Sequence, residues 1–192
     1  MSKVLQYLDI DMNNPPNECV KYILDKTKNM KDYSVLEIGT LRWKPDYPTH
    51  HKPLFPNAGE YIMTDVTAGT DVDVVSDAHD LVSVFGENRF DVVWTSSTFE
   101  HLHSPWIAAE QILKVLKPNG WFMVQTHFQF PLHGYPFDYF RFSREALEHI
   151  FKQAKNKISC YQYPAKIVPN EKIDPWNEAA ESYLNVCISG EK

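Results

Sequence analysis

The sequence predicts an α/β fold in which a mostly parallel sheet is covered by helices on both faces. Short apolar segments that suit strands alternate with segments in which apolar residues recur at helical spacing. The strand segments are almost continuously apolar, which is typical of strands buried on both faces. Glycine, proline and polar residues cluster after them, as expected where the strands of such a sheet end.

The first element is a helix within residues 1–32. Asn14 is expected to cap it, with Pro15 in the first turn, and Val20 and Ile23 begin its apolar face. Further helices are predicted by Ser104 before Pro105 and by Ser143 at the start of another apolar periodic segment. The predicted strands are 33–38, 60–66, 71–75, 89–97, 121–128, 157–165 and 182–190, and the remaining predicted helices are 79–86, 104–120 and 143–154.

Charge and composition exclude several classes of protein. The 192 residues carry a formal net charge of -6 at pH 7 without a run of Lys or Arg, which argues against a nucleic-acid binder. No apolar stretch approaches the roughly 18 residues of a membrane-spanning helix. The three cysteines are far apart, which predicts neither a disulfide framework nor a zinc knuckle. We expect a single cytoplasmic domain over residues 1–192, and the sequence is compatible with a homodimer.

Candidate ligand-binding residues follow the predicted strands. In open parallel sheets, ligands bind outside the carboxyl ends of the strands, near the point where strand order reverses. This rule selects Gly39, Asp65, Asp77, Ser96 to His101, and the residues from His127 onward.

Several segments together resemble the class I S-adenosylmethionine (SAM) dependent methyltransferases, in particular the type 11-like group that acts on small molecules. They are "VLEIGT", "YIMTDV", "VVSDAHDL", "FDVVWTSSTFEHLHSP" and "ILKVLKPNGWFMV", in the family's order over residues 35 to 124. The resemblance implies a Rossmann-like class I methyltransferase fold with a mostly parallel seven-stranded sheet. It also implies a SAM-dependent methyltransferase (EC 2.1.1 class) with SAM as its cofactor.

The turn after the first strand departs from the family's E/D-x-G-x-G-x-G motif, because Leu41 and Trp43 stand where further glycines are usual. SAM has no phosphate, so it does not need the backbone cradle that a pyrophosphate requires. Residues 41–59 contain four prolines and no helical period. We therefore expect the helix after strand 1 to be shortened or missing.

The resemblance implies roles for six residues in cofactor binding. Asp65 would accept hydrogen bonds from the ribose hydroxyls, and Asp77 with Ala78 would hold the adenine. Glu37 would reach the methionine ammonium, Gly39 would allow close approach, and the backbone at Ser96 would face the methionine portion. As alternatives, Asp65 could be a solvated strand-end residue, and the nearby Asp71, Asp73 and Asp80 could be turn or cap residues.

Residues 127–142, "HFQFPLHGYPFDYFRF", are predicted to form an aromatic loop that covers the substrate. His133 and His127, followed by His101, are the candidate general bases, since histidine suits that role near neutral pH. The candidate acceptor contacts are Tyr135, Asp138, Tyr139 and Arg141. Alternatively the loop is a hydrophobic plug in which Asp138 and Arg141 form an internal ion pair, and His101 only orients its turn.

No resident metal is expected, because no histidine pair has H-x-x-x-H or H-E-x-x-H spacing, although six histidines could meet at one edge. The predicted reaction is methyl transfer to a small polar acceptor, most often a hydroxyl, of a sugar or natural-product-like metabolite. Two alternatives remain open at this point. One is a methyltransferase-fold binding or regulatory protein that has lost SAM, and the other is an NAD(P)-dependent oxidoreductase, which the absent G-x-G-x-x-G disfavours.

Overall fold

The computed structural model describes residues 17–46, 48, 50–167 and 180–192. Seven strands form one sheet in the order β3-β2-β1-β4-β5-β7-β6. Strands β1 to β5 pair in parallel, and β7 runs antiparallel to both β5 and β6. The predicted mostly parallel, seven-stranded sheet is therefore confirmed. The strands are β1 Tyr33–Ile38, β2 Ala58–Asp65, β3 Val74–Val75, β4 Phe90–Ser96, β5 Leu116–His127, β6 Lys155–Ile167 and β7 Ala180–Glu191.

The third and fifth strands differ most from the prediction, whereas the ends of the other strands differ by at most two residues. The third strand is only two residues long, since Asp71 before it has a φ of 65° and leaves the extended region. Strand β5 begins at Leu116, where a helix was predicted to continue to Gly120. Leu116 already pairs with Phe90 of β4, and a register shift then accommodates the turn-forming residues before Trp121.

Four α-helices occur in the described residues: α1 Glu18–Thr27, α2 Leu81–Phe85, α3 Pro105–Val115 and α4 Arg144–Ile150. Asn17 caps α1 by accepting a 2.9 Å hydrogen bond from the backbone of Val20. The predicted capping residues Asn13 to Pro16 lie outside the described residues. Ser143 caps α4 as predicted, whereas Ser104 precedes α3 without making a side-chain cap bond. None of the helices in the described ranges has the length and apolar character needed to cross a bilayer.

The sheet separates two apolar clusters because neighbouring strand residues point to opposite faces. Phe122 of β5 lies in a first cluster with residues of α3 and α4, whereas Met123 lies in a second cluster with residues of α1. Helices therefore cover both faces, as the apolar strands predicted.

The segment between β1 and β2 contains no α-helix in its described residues, only a 3₁₀ turn at Lys52–Leu54. Leu54 and Phe55 are buried in the second cluster, and the Phe55 ring meets that of Trp94 edge to face at 5.5 Å. The prediction of a shortened or missing helix is confirmed. Two apolar side chains of the loop fill space that a helix would otherwise cover.

Candidate active site

The carboxyl ends of the parallel strands bring the predicted site residues to one edge of the sheet. Strands β1 and β4 are neighbours in the sheet. From β1 the chain continues outward on one side to β2 and β3, and from β4 it continues on the other side to β5, so strand order reverses between β1 and β4. Gly39 follows β1 and Ser96 ends β4, which places both at this reversal. Ligands of open α/β sheets bind at such a point.

Gly39 makes the turn after β1, and its neighbours exclude any larger residue. Its φ of 81° is in the left-handed region, and a Cβ atom there would lie 2.0 Å from Thr98 Oγ1. The Gly39 backbone N–H donates to Thr64 O of β2 at 2.8 Å. The single remaining glycine of the motif is thus required by the packing of the turn against the loop after β4.

Asp65, at the end of β2, is half-buried and keeps hydrogen-bonding capacity. Its Oδ2 accepts from the backbone of Leu41 and its Oδ1 from that of Thr67, both at 3.1 Å. A carboxylate offers about four acceptor sites. Two of them therefore remain for a diol such as that of a ribose.

Asp77 is exposed and pairs with His79, whose backbone N–H lies 2.8 Å and whose Nδ1 lies 2.6 Å from Asp77 Oδ1. Burial alone would raise the pKa of Asp77, but these hydrogen bonds outweigh it and the pKa is lowered. Ala78 beside it is buried in the first cluster. Ser96 donates to Gln125 Oε1 at 3.3 Å.

Glu37 is engaged inside the protein. Its Oε1 lies 2.6 Å from His51 Nδ1, its Oε2 accepts from Tyr61 Oη at 2.5 Å, and both oxygens lie within 3.0 Å of the His51 backbone nitrogen. Burial and the charge of Glu37 raise the pKa of Tyr61. Only 2% of Glu37 is exposed. Its carboxylate anchors the loop after β1. No sequence pattern indicates His51 as its partner.

A cluster of one carboxylate and three histidines lies after β4 and β5, and we call it the Glu100 cluster. Glu100 is fully buried. Its Oε1 lies 3.0 Å from His127 Nε2, 3.8 Å from His133 Nε2 and 3.9 Å from His101 Nε2. Its Oε2 accepts from Thr126 Oγ1 at 2.7 Å. All three histidines predicted as bases are therefore brought together, around a glutamate that was not among the predicted site residues.

The contact between Glu100 and His127 shifts the pKa values of both groups. Burial alone would raise the pKa of Glu100 and lower that of His127. The contact between the two groups outweighs burial on both sides, with help from Thr126 and Asn185, so the pKa of Glu100 is lowered and that of His127 is raised. His127 is also stacked on Phe130, with ring centroids 4.1 Å apart.

Residues 127–142 form a loop that is held by its own polar contacts. Arg141 pairs with Asp138 through both oxygens, at 2.6 and 2.9 Å, and donates to the backbone carbonyls of Phe130 and Pro131. Asp138 also accepts from the backbone of His133 at 2.9 Å. Asp138 and Arg141, two of the four predicted acceptor contacts, thus hold the loop's shape through the internal ion pair that the alternative interpretation named.

The two tyrosines predicted to contact the acceptor point outward from this loop. Tyr135 is 94% exposed and Tyr139 is 46% exposed. The backbone N–H of Tyr139 donates to Glu100 O at 2.8 Å, so the loop is also tied to the turn that carries the Glu100 cluster. The cluster and the exposed aromatic side chains of the loop are thus parts of one surface.

Comparison with known proteins agrees with this geometry. Residues 59–124 match the family model described as "Methyltransferase domain". A search of the curated proteins found no match.

Many solved structures share the fold. A SAM-dependent methyltransferase from Archaeoglobus fulgidus is 17% identical, with 90% of this chain and 91% of that chain covered and a TM-score of 0.64. YcgJ from Bacillus subtilis is 16% identical, with 91% and 97% covered and a TM-score of 0.66. A Haemonchus contortus phosphoethanolamine N-methyltransferase, solved with S-adenosylhomocysteine (SAH) and phosphomonomethylethanolamine, is 14% identical, with 90% and 52% covered and a TM-score of 0.57.

The matched model spans most of β2 to β5, including α3, and contains Asp65, Asp77 and Glu100, whereas His127 and His133 of the Glu100 cluster lie beyond it. The structural neighbours extend the likeness to the rest of the fold and show its strand arrangement. The resemblance inferred from the sequence motifs is thus confirmed. Residues 59–124 thus match a methyltransferase domain, and the fold of the chain is the one that SAM-dependent methyltransferases share.

Proposed function

We propose that the protein transfers the methyl group of SAM to a hydroxyl of a small polar acceptor, a sugar or natural-product-like metabolite, bound beside the 127–142 loop. The observation that carries this proposal is the Glu100 cluster. It places three imidazoles at the edge of the sheet where ligands of this fold bind. Imidazoles suit proton removal from a hydroxyl near neutral pH.

The hydrogen-bond acceptors at the strand ends fit an adenosine. Asp65 has two acceptor sites left for the ribose hydroxyls, and the exposed carboxylate of Asp77 can accept from the adenine amino group. Gly39 and Ser96 border the reversal point, where the methionine portion would lie. Glu37 has no such role in this proposal, because its four contacts with His51 and Tyr61 already fill the acceptor sites of its carboxylate.

SAM supplies a methyl carbon that is electrophilic because it is bonded to a positively charged sulfur. The chain's own residues have to orient the acceptor oxygen in line with that carbon and exclude water, which can supply several kcal/mol or more. The acceptor oxygen forms a bond to the methyl carbon while the carbon–sulfur bond breaks, SAH is released, and the hydroxyl proton leaves through the histidines to solvent. His101 and His133 are partly exposed and can face the acceptor, whereas His127 is buried.

The first test is isothermal titration calorimetry of the purified protein with SAM and SAH, with NADH as the negative comparison. We expect SAM and SAH to bind and Asp65→Ala to abolish binding. Asp25→Ala, which changes an exposed carboxylate on α1, is the matched control and should bind as the wild type does. No heat with SAM or SAH from folded wild-type protein would refute the cofactor assignment.

The acceptor is tested by following SAH formation with a panel of monosaccharides, glycosides and hydroxylated aromatic compounds. We expect turnover with a hydroxyl acceptor and a fall in kcat of about 100-fold or more in His133→Ala, the usual contribution of a positioned base. SAH formation with amine acceptors alone would overturn the hydroxyl assignment. Unchanged kcat in both His133→Ala and His101→Ala would remove the base role.

A further inference from the structure

We propose that the Glu100 cluster is a binding site for a divalent transition-metal ion such as Zn²⁺, with Glu100, His127 and His133 as ligands and His101 at its edge. The proposal concerns metal binding in itself. With the ion bound, His127 and His133 would be ligands through Nε2 and could not also take a proton there, so the ion would take over the activation of the acceptor hydroxyl. That role rests on the proposed function above.

The first argument is distance. The ligand atoms of Glu100, His127 and His133 all lie within 4.8 Å of one another. Zinc bonds to nitrogen and oxygen are about 2.0–2.2 Å long, so ligand atoms at the corners of a tetrahedron lie about 3.3–3.6 Å apart. The separations of 3.0 and 3.8 Å between Glu100 Oε1 and the two Nε2 atoms bracket that value. Small side-chain rotations would bring all three onto one ion.

The second argument is the orientation of the imidazoles. Each Nδ1 lies at hydrogen-bonding distance from an amide oxygen: His127 from Asn185 Oδ1 at 2.9 Å, His101 from Phe137 O at 2.7 Å, and His133 from Pro131 O at 3.0 Å. Such oxygens only accept, so each Nδ1 carries the proton. In the neutral ring, Nε2 then presents its lone pair, and all three Nε2 atoms face Glu100. Metal-binding histidines are held in this way by partners outside the metal's own ligands.

The third argument is the state of Glu100. Its Oε1 is buried and accepts no hydrogen bond of normal geometry, although His127 Nε2 lies 3.0 Å away. An ionised carboxylate buried in this way needs a positive partner. A proton on His127 would supply one contact, but it would leave His133 Nε2 facing the same oxygen without a shared proton. One cation among these atoms satisfies the carboxylate and both lone pairs together.

The ligand chemistry selects the class of ion. Imidazole nitrogens favour Zn²⁺, Fe²⁺, Co²⁺ or Ni²⁺, whereas Mg²⁺ and Ca²⁺ favour sites built from oxygen atoms. The side chains of His101 and His133 are 29% and 31% exposed, so one side of the cluster is open to a small ligand. A bound hydroxyl there would lose its proton more readily, as metal-bound water does.

Spacing rules did not predict this site because its ligands do not lie on one helix. Glu100 and His101 belong to the 3₁₀ turn after β4, His127 ends β5, and His133 is in the middle of the following loop. Only the adjacency of β4 and β5 in the sheet brings them together.

The test is calorimetric titration of the full-length protein, freed of metal by chelation, with Zn²⁺, Co²⁺, Mg²⁺ and Ca²⁺. We expect one Zn²⁺ or Co²⁺ per chain, with visible absorption of the Co²⁺ form and no comparable binding of Mg²⁺ or Ca²⁺. His133→Asn should weaken Zn²⁺ binding about tenfold or more. Glu100→Gln should do the same, and circular dichroism would show whether it is folded. His149→Asn, on the exposed side of α4, is the matched control and should bind normally.

Two results would overturn the proposal. One is the absence of Zn²⁺ and Co²⁺ binding by folded wild-type protein. The other is binding that survives His133→Asn but is lost in His103→Asn, because that would place the ion at the stacked pair of His79 and His103. Asp65→Ala should lose SAH but keep Zn²⁺, so a failure of the metal site and a failure of the cofactor assignment would be distinguishable.

Discussion

Two constraints require glycine at position 39, one from the local backbone conformation and one from a residue far away in the sequence. The φ of Gly39 requires glycine locally, and Thr98, which lies in the loop after β4, excludes a side chain from outside. The motif could therefore lose its other glycines while this one was kept for packing alone.

A double-mutant cycle separates the two constraints on Gly39. Gly39→Ala should cost more than the roughly 1–2 kcal/mol expected for a left-handed backbone alone, because the new Cβ meets Thr98 Oγ1. In a Thr98→Ala background that atom is absent, so the cost should fall toward the backbone value. Urea denaturation of the wild type, the two single variants and the double variant measures the cost of Gly39→Ala in both backgrounds. An equal cost in the two backgrounds would contradict the packing argument.

Glu37 gives a second prediction at the residue scale. Glu37→Gln keeps the shape of the side chain but removes the charge that His51 and Tyr61 contact, so we expect a loss of about 1.5–3 kcal/mol in the free energy of unfolding. Glu60→Gln is the control, since Glu60 forms a partly exposed ion pair with Arg89 and should cost about 1 kcal/mol or less. Equal losses in the two variants would count against Glu37 as the anchor of the loop.

The residues of the site were only partly predictable. Position after a strand was enough to select Asp65, Asp77 and the three histidines, because the ends of parallel strands meet at one edge. Glu100 could not be assigned its place from sequence, since its importance comes from contacts with residues 26 and more positions away. The roles of Asp138 and Arg141 depended on loop geometry, which a non-periodic segment does not encode in a readable pattern.

At the scale of elements, Asp91 joins three strands near their beginnings. Its Oδ2 accepts from the backbone and hydroxyl of Ser34 in β1, at 2.8 and 2.9 Å, and from Lys117 Nζ in β5 at 2.7 Å. Burial alone would raise the pKa of Asp91, but the contacts with Lys117 and Ser34 outweigh it and the pKa is lowered. The carboxylate is thus more stable in the folded protein than in the unfolded chain.

This shift predicts a pH dependence. A lowered pKa adds stability that is fully present above the ordinary aspartate value of about 3.9 and is lost as pH falls through the lower, folded-state value. Asp91→Asn should therefore be less stable than the wild type at pH 7, and the difference should shrink below about pH 4. Urea denaturation at pH 7 and pH 3 measures it. A difference independent of pH would assign the effect of Asp91 to shape alone.

The elements themselves were predicted best where the local pattern and the pairing agree, as in β1 and β4. The segment after β1 was read correctly as non-helical because its four prolines oppose a helix. The boundaries of β3 and β5 were not predicted. Strand β3 is shortened by the left-handed backbone of Asp71. Strand β5 begins earlier than predicted, because Leu116 pairs with β4 although the turn-forming residues Pro118 to Gly120 follow it.

At the scale of the whole molecule, β5 joins the two apolar clusters through neighbouring residues. We expect Phe122→Ala to cost about 3–5 kcal/mol and Met123→Ala about 2–5 kcal/mol, since both side chains are fully buried. Each variant should still unfold in one transition, with the same midpoint by circular dichroism and by tryptophan fluorescence. A second transition in either variant would mean that the two faces of the sheet unfold separately.

The overall fold was the most predictable level. Alternation of strands and helices predicts a parallel sheet, and the family motifs added the strand number. The antiparallel placement of β7 between β5 and β6 was not predicted, because periodicity carries no information on strand direction.

The two edge strands of the sheet, β3 and β6, affect the tendency of the protein to aggregate at high concentration. An exposed edge can template a strand of a second molecule and so start aggregation. At one edge, β3 is only two residues long and offers little backbone to such a strand. At the other, β6 carries Pro164, which has no N–H to donate, Tyr163 with a φ of 59° that interrupts the extended backbone, and exposed lysines such as Lys166. Both edges therefore oppose strand-by-strand association into fibrils, one by its shortness and the other by its composition.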